Sequence, residues 1–183
     1  MERSAKLERS TRETTISISL AIDGSRNADI ACDEKFLEHM LRTLFRYASF
    51  DAKVAAKGDD VHHLVEDVAI TLGKALRQAM GDVPIERMAS ALVPMDDALV
   101  EVALDLVDRP YADIECPNAL YHHFLRSLAM SSGMTLHTAV RRGFDEHHIV
   151  EAEFKALGLA LRRALVRRQA ELSTKDPEQL RGG

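Results

Sequence analysis

The chain has 183 residues, 46% apolar and 29% charged, with a net charge of -5, which suits a soluble globular protein of one domain or of two small fused halves. Its acidic balance excludes a general attraction to nucleic acid or to an anionic membrane surface. The apolar stretches are too interrupted for a membrane span and the first residues lack the apolar core of a secretory signal, so a cytoplasmic location is expected.

Residues 14–22 alternate, with Ile16, Ile18, Leu20 and Ile22 on one face, and Asp23-Gly24 signals a turn before a short strand over 28–32. That pattern predicts a hairpin. Phe36, Leu37, Met40, Leu41, Leu44 and Phe45 have helical spacing, and 51–56 is a strand candidate. Gly58-Asp59-Asp60 then breaks the chain before an amphipathic helix that runs to about Met80 along Val65, Val68, Ala69, Leu72, Leu76 and Ala79. Strands over 99–107 and 111–116, a helix over 123–131, a strand over 135–141 and a last helix after Gly143 repeat the plan. Gly81, Asp82, Val83, Pro84 and Pro94 mark connections. Cys32 and Cys116 form no C-x-x-C pair and are too few for a disulfide framework, so two semi-buried free thiols are expected. The predicted fold is α+β, built from two similar halves over 1–90 and 91–168 that each place helices on one side of a sheet, followed by a tail over 169–183.

The two halves share a motif. His62-His63-x-x-Glu66 returns 85 residues later as His147-His148-x-x-Glu151, and residues 58–79 laid over 143–164 agree at 12 of 22 positions. Gly58/Gly143, Asp60/Asp145 and the run Leu-Gly-x-Ala-Leu-Arg-x-Ala are among the identities, which marks an internal duplication. Residues one apart on a helix point roughly 100° away from each other, so the two histidines of a doublet cannot share one ion easily, whereas each lies near the glutamate. The simplest arrangement sets the doublets opposite one another, with each of two ions taking one histidine from each doublet and one glutamate. His39 and His137, just before the two ligand segments, would complete three imidazoles and a carboxylate per ion. His122-His123 have no glutamate at the right spacing and read as a surface pair. Nitrogen and oxygen ligands without thiolate suit Mn, Fe, Co or Zn better than Ca or Mg.

These segments resemble the imidazoleglycerol-phosphate dehydratase family. The resemblance is carried by Arg9 to Thr14, Phe36 to Leu41, His62 to Asp67, Pro94 to Leu99, Asp108 to Tyr111, Tyr121 to Phe124, Leu136-His137, His147 to Lys155 and Leu172 to Lys175. It implies a duplicated fold of the ribosomal protein S5 domain 2-like type, and trimers assembled into a 24-subunit shell with active sites between subunits. The implied reaction removes water from D-erythro-imidazoleglycerol phosphate to give imidazole acetol phosphate in histidine biosynthesis. Two manganese ions per site would favour the deprotonated substrate imidazole, whose electron density expels the side-chain hydroxyl. Carried over by position, the metal ligands are His39, His62, His63, Glu66, His137, His147, His148 and Glu151. Glu13, Glu66, Glu151, Asp96 and Lys155 match catalytic or pocket positions. Glu13 also matches a substrate contact, and Arg87, Arg109, Ser173 and Lys175 match phosphate contacts.

The chain departs from the family pattern in several places. Cys32-Asp33-Glu34-Lys35-Phe36 stands where the family reads Thr-Gly-x-Gly-Phe, and the loop before His62 is shorter than usual. The usual asparagine before the second doublet is replaced in Phe144-Asp145-Glu146, and Asp176 stands where a glycine is usual after Lys175. Two other readings stay open on sequence: a metal-stapled assembly protein without chemistry, and a lyase acting on a related phosphorylated azole.

Overall fold

Each half of the chain folds through the same succession of elements. The first comprises β1 (Ser4–Ser10), β2 (Thr14–Ala21), β3 (Ala28–Cys32), α1 (Lys35–Ala48), β4 (Asp51–Gly58) and α2 (Val61–Met80). The second comprises β5 (Met88–Met95), β6 (Ala98–Asp105), β7 (Tyr111–Asp113), α3 (Ala119–Ser132), β8 (Thr135–Arg142) and α4 (Glu146–Ala164). The computed structural model describes residues 3–169, so Ser173 and Lys175 lie outside the described residues. The halves meet between α2 and β5, and residues 88–90 therefore belong to the second half rather than the first.

The strands form two four-stranded sheets, ordered β1-β2-β4-β3 and β5-β6-β8-β7. Both are mixed. β3 pairs parallel with β4, and β7 with β8, across a crossover helix, while the remaining pairs are antiparallel. The predicted hairpin between β2 and β3 does not form, because β4 lies between them and β1 is the hairpin partner of β2. The periodicity failed to reveal β1 and β5 for one reason: both are edge strands with little to bury. In β1 only Ala5 is buried among polar neighbours, and β5 carries Pro94, which an edge strand tolerates because one side of its backbone is unpaired. Asn118 starts α3 at Ala119, earlier than expected, by accepting from the N–H groups of Leu120 and Tyr121.

α1 and α2 cover one face of the first sheet, and α3 and α4 cover one face of the second. α2 also packs on α3 and α1 on α4, so the four helices lie between the two sheets. This explains why α2 is buried on more than one stripe, at Leu64, Val65, Val68, Ala69, Leu72, Ala75, Leu76 and Ala79. It also explains the repeated Leu-Gly-x-Ala-Leu-Arg-x-Ala run. A Cβ on Gly73 would stand 2.7 Å from Ser131 Cβ and 2.8 Å from Leu128 O, and one on Gly158 would stand 2.7 Å from Leu44 O and 2.8 Å from Tyr47 Cβ. The two glycines let α2 approach α3, and α4 approach α1, closely enough to lock the halves together.

Candidate metal centre

Both histidine doublets stand in the first turn of a long helix. Asp60 caps α2 by accepting from His62 N at 2.7 Å, and Asp145 caps α4 by accepting from His147 N at 2.8 Å and His148 N at 3.4 Å. The repeated aspartate is therefore a helix start signal that fixes where the ligands project. The first histidine of each doublet turns toward a neighbouring helix of the other half. The second turns toward a hairpin between two strands.

His147 Nε2 and His39 Nε2, the latter from α1, each lie 3.3 Å from Glu151 Oε2. The donor atoms of these three residues all fall within 4.8 Å of one another. That spread is close to the roughly 4 Å between ligands on opposite sides of one transition ion, so two imidazoles and a carboxylate here fit a divalent cation. Lys155 Nζ holds the other carboxylate oxygen of Glu151 at 3.0 Å. Burial pushes the Glu151 carboxyl up, but Lys155 and His39 outweigh it, so it titrates below the ordinary range.

The first doublet has a looser counterpart, whose donor atoms do not close into one group as those of His39, His147 and Glu151 do. His123 Nε2 of α3 lies 3.2 Å from Glu66 Oε1, and the His123 ring stacks on His62 with centroids 5.1 Å apart. His123 was missed because its glutamate is adjacent in space and not along its own helix. The duplication held the signal: His39 and His123 are each the fifth residue after the N-cap of their helix, Glu34 and Asn118.

His148 Nδ1 lies 2.6 Å from Asp97 Oδ1 and its Nε2 lies 3.3 Å from Asp96 Oδ2, both aspartates belonging to the turn between β5 and β6. The backbone N–H of Phe144, then His148 and, more weakly, the N–H of Asp145 hold Asp97 at a pKa of about 2 against the opposing effect of burial. In the first half the turn between β1 and β2 plays the matching part. His63 Nδ1 is 3.3 Å from Asp59 Oδ1 and 3.7 Å from Glu13 Oε2. That turn is anchored by Thr14 Oγ1, which donates to Asp67 Oδ2 at 2.6 Å, and by Arg9, whose Nη2 lies 2.8 Å from Asp67 Oδ1. Arg9 and Thr14 of the Arg-Glu-Thr segment thus grip α2 so that Glu13 faces the doublet.

The expected pairing of one doublet with the other does not occur within one chain, because α2 packs on α3 and α4 on α1. His137 joins neither cluster: it is exposed on β8, 3.7 Å from Asp113 Oδ2, with its ring centroid 5.4 Å from that of Tyr111. Arg87 precedes β5, where its N–H donates to Ala164 O and its Nε pairs with Asp105 Oδ1 at 2.8 Å. Ala164 ends α4 while His147 begins it, so at about 1.5 Å per residue roughly 25 Å separates Arg87 from the doublet. Arg109 is equally remote, its carbonyl accepting from Thr135 Oγ1 at the start of β8. A surface cleft of about 870 Å³ lies at this far end, lined by Lys74, Arg77, Arg87 and Asp108 among others. Asp108 and Asp105 already neutralise its two arginines.

The fold and the site define a duplicated α+β protein with a candidate metal-binding cluster, His39, His147 and Glu151, at the start of a long helix. Residues 33–161 match the profile of the imidazoleglycerol-phosphate dehydratase family, abbreviated IGPD. Imidazoleglycerol-phosphate dehydratases from Methanothermobacter thermautotrophicus and Dehalococcoides mccartyi are similar to this chain at 48% identity over 179 residues and 46% over 174. The alignments span 90% of this chain and 91% of the first relative, and 89% of both chains for the second. The crystal structure of IGPD from Pyrococcus furiosus superimposes with a TM-score of 0.80 at 37% identity, covering 92% of this chain and 98% of that one. The enzyme from Staphylococcus aureus gives 0.79 at 28% identity, covering 90% and 99%. The chain belongs to the imidazoleglycerol-phosphate dehydratase family.

Proposed function

We propose that this chain is a cytoplasmic hydro-lyase that converts imidazoleglycerol phosphate into imidazole acetol phosphate in histidine biosynthesis, with two manganese ions at each active site. The observation that carries this reading is the gathering of His39, His147 and Glu151 within 4.8 Å of one another in a chain of this family, with His123 paired to Glu66 and stacked on His62 at the corresponding place in the other half. The first set would hold one ion and the second another. His63 and His148 face away from these sets and, with His137, would complete the coordination of the same two kinds of ion in a neighbouring chain, which keeps the count at two ions per chain.

Bound metal supplies Lewis acidity to the substrate's imidazole, favouring its deprotonated form. The chain's carboxylates move the protons. Glu13 and Asp96, on matching hairpin turns beside His63 and His148, would take the proton from substrate carbon or protonate the departing hydroxyl. Glu66 and Glu151 are further candidates for that transfer, and Lys155 fixes the orientation of Glu151.

Arg87 and Arg109 would bind the phosphate, together with Ser173 and Lys175 beyond the described residues. Because about one helix length separates Arg87 from the doublet of its own chain, the phosphate contacts would come from a neighbouring copy. Active sites between subunits of a 24-subunit assembly of trimers would satisfy that distance.

The deciding experiment follows imidazoleglycerol phosphate in metal-stripped protein with and without manganese. Imidazole acetol phosphate forming only with manganese is expected. Absence of turnover with two ions bound per chain would overturn the dehydratase reading.

A further inference from the structure

Phe36 links the metal-ligand cluster to the core. Its ring centroid lies 5.1 Å from that of His147 and 5.0 Å, edge-on, from that of Tyr121. Tyr121 meets Phe154 edge-on at 5.9 Å, and Phe154 packs on Phe124 at 5.2 Å. These rings form a continuous wall from the contact of α3 with α4 to the imidazole of His147. A polar contact fixes the wall: the Tyr121 hydroxyl, 3% exposed as a residue, donates to Glu34 Oε2 at 3.3 Å. The same oxygen accepts the N–H of Leu37, so Glu34 is also the N-cap of α1, the helix that carries His39. Glu34 stands where the family pattern has a variable residue between two glycines, and one side chain here both caps α1 and binds it to α3.

Among the described residues the other cluster has no such buttress. The cap of α3 is Asn118, whose Nδ2 donates to Glu146 and not to an aromatic residue. Leu120 occupies the place relative to its cap that Phe36 holds in α1. The rings that touch His62 are those of His63 and His123.

An imidazole ligand binds best when its ring is already held at the required angle, because the torsion that turns the ring is otherwise broad. We infer that Glu34 and Tyr121 are positioning residues for His147: acting through Phe36, they set the metal affinity of the His39, His147 and Glu151 set and leave the His62, Glu66 and His123 set independent. This rests on the metal reading above.

Metal-stripped full-length protein titrated with manganese by calorimetry tests it, beside the melting temperature of each metal-free protein. Wild type is expected to take up two ions per chain. Tyr121→Phe, which removes only the hydroxyl, should hold one of the two about tenfold more weakly, the low end of the cost of losing an outer partner of a metal ligand. Glu34→Ala should do the same, whereas Glu34→Gln, which keeps an oxygen to accept from both donors, should restore wild-type binding. Unchanged affinity in Tyr121→Phe, or equal weakening of both ions, overturns the inference while the metal reading stands. A wild-type protein that takes up no manganese overturns both.

Discussion

Asp97 grips His148 and the approach to its helix with one carboxylate: Oδ1 lies 2.6 Å from His148 Nδ1, while Oδ2 accepts the N–H groups of Phe144 at 2.7 Å and Asp145 at 3.2 Å. A carboxylate can only accept, so Nδ1 carries the proton and Nε2 is the nitrogen that would bind metal under the proposed function. Asp97→Ala is expected to weaken manganese binding by about 10- to 100-fold. Asp97→Asn, which keeps an oxygen for the backbone donors, should bind more weakly than wild type but melt close to it. Calorimetric titration and thermal melts separate the two effects.

His123 offers a direct count. If it completes the set with His62 and Glu66, His123→Ala should lower bound metal from two ions per chain toward one, and His39→Ala should do likewise for the other set. Metal analysis after dialysis against buffered manganese reads the stoichiometry. Combining Glu66→Gln with Glu151→Gln should abolish both metal retention and turnover, and full activity in that double variant would contradict the proposed ligands.

The glycine in each long helix should be intolerant of a methyl group. Gly158→Ala places a Cβ against Leu44 O and Tyr47 Cβ, and Gly73→Ala against Ser131 Cβ and Leu128 O. Each substitution is expected to destabilise the fold by about 1–3 kcal/mol, because backbone and Cβ atoms at such a contact cannot rotate away. Urea unfolding measures the loss. Gly158→Ala should also weaken metal binding, since it pushes α4 with His147 and Glu151 away from α1 with His39.

Acid stability should depend on Arg3. This residue, 7% exposed, donates through Nε to Asp23 Oδ2 at 2.9 Å and through Nη1 to Leu165 O at 2.8 Å, tying the first residues to the end of α4. The Arg3 hydrogen bond, opposed by burial and helped by Arg167, lowers Asp23 from 3.8 to about 2. A depressed carboxylate contributes stability that is fully present above pH 3.8 and is lost as pH falls through about 2. Arg3→Gln should therefore raise the Asp23 pKa toward its ordinary value and reduce stability at neutral pH more than at pH 2. Acid unfolding curves and the carboxyl titration of Asp23 by NMR check both.

The amino-acid sequence by itself determined the duplication, the α+β class, the family and the two ligand helices, because these depend on local signals. Asp60 and Asp145 cap a helix wherever it packs, and the period of Val65, Val68 and Leu72 requires a buried face. Only tertiary structure decided which side chains meet. His123 pairs with Glu66 because α2 packs on α3, a contact made possible by Gly73, and no spacing along α3 encodes it. The same packing keeps the two doublets apart within one chain and leaves His137 on an exposed strand beside Asp113. Edge strands β1 and β5 were hidden from the pattern because they bury few side chains, and the order of the sheets, with β4 between β2 and β3, follows from crossover helices that join distant segments. Local chemistry fixes where an element starts and which face it buries. Which faces then come together is a global matter of packing, and it is there that the candidate ligands are sorted.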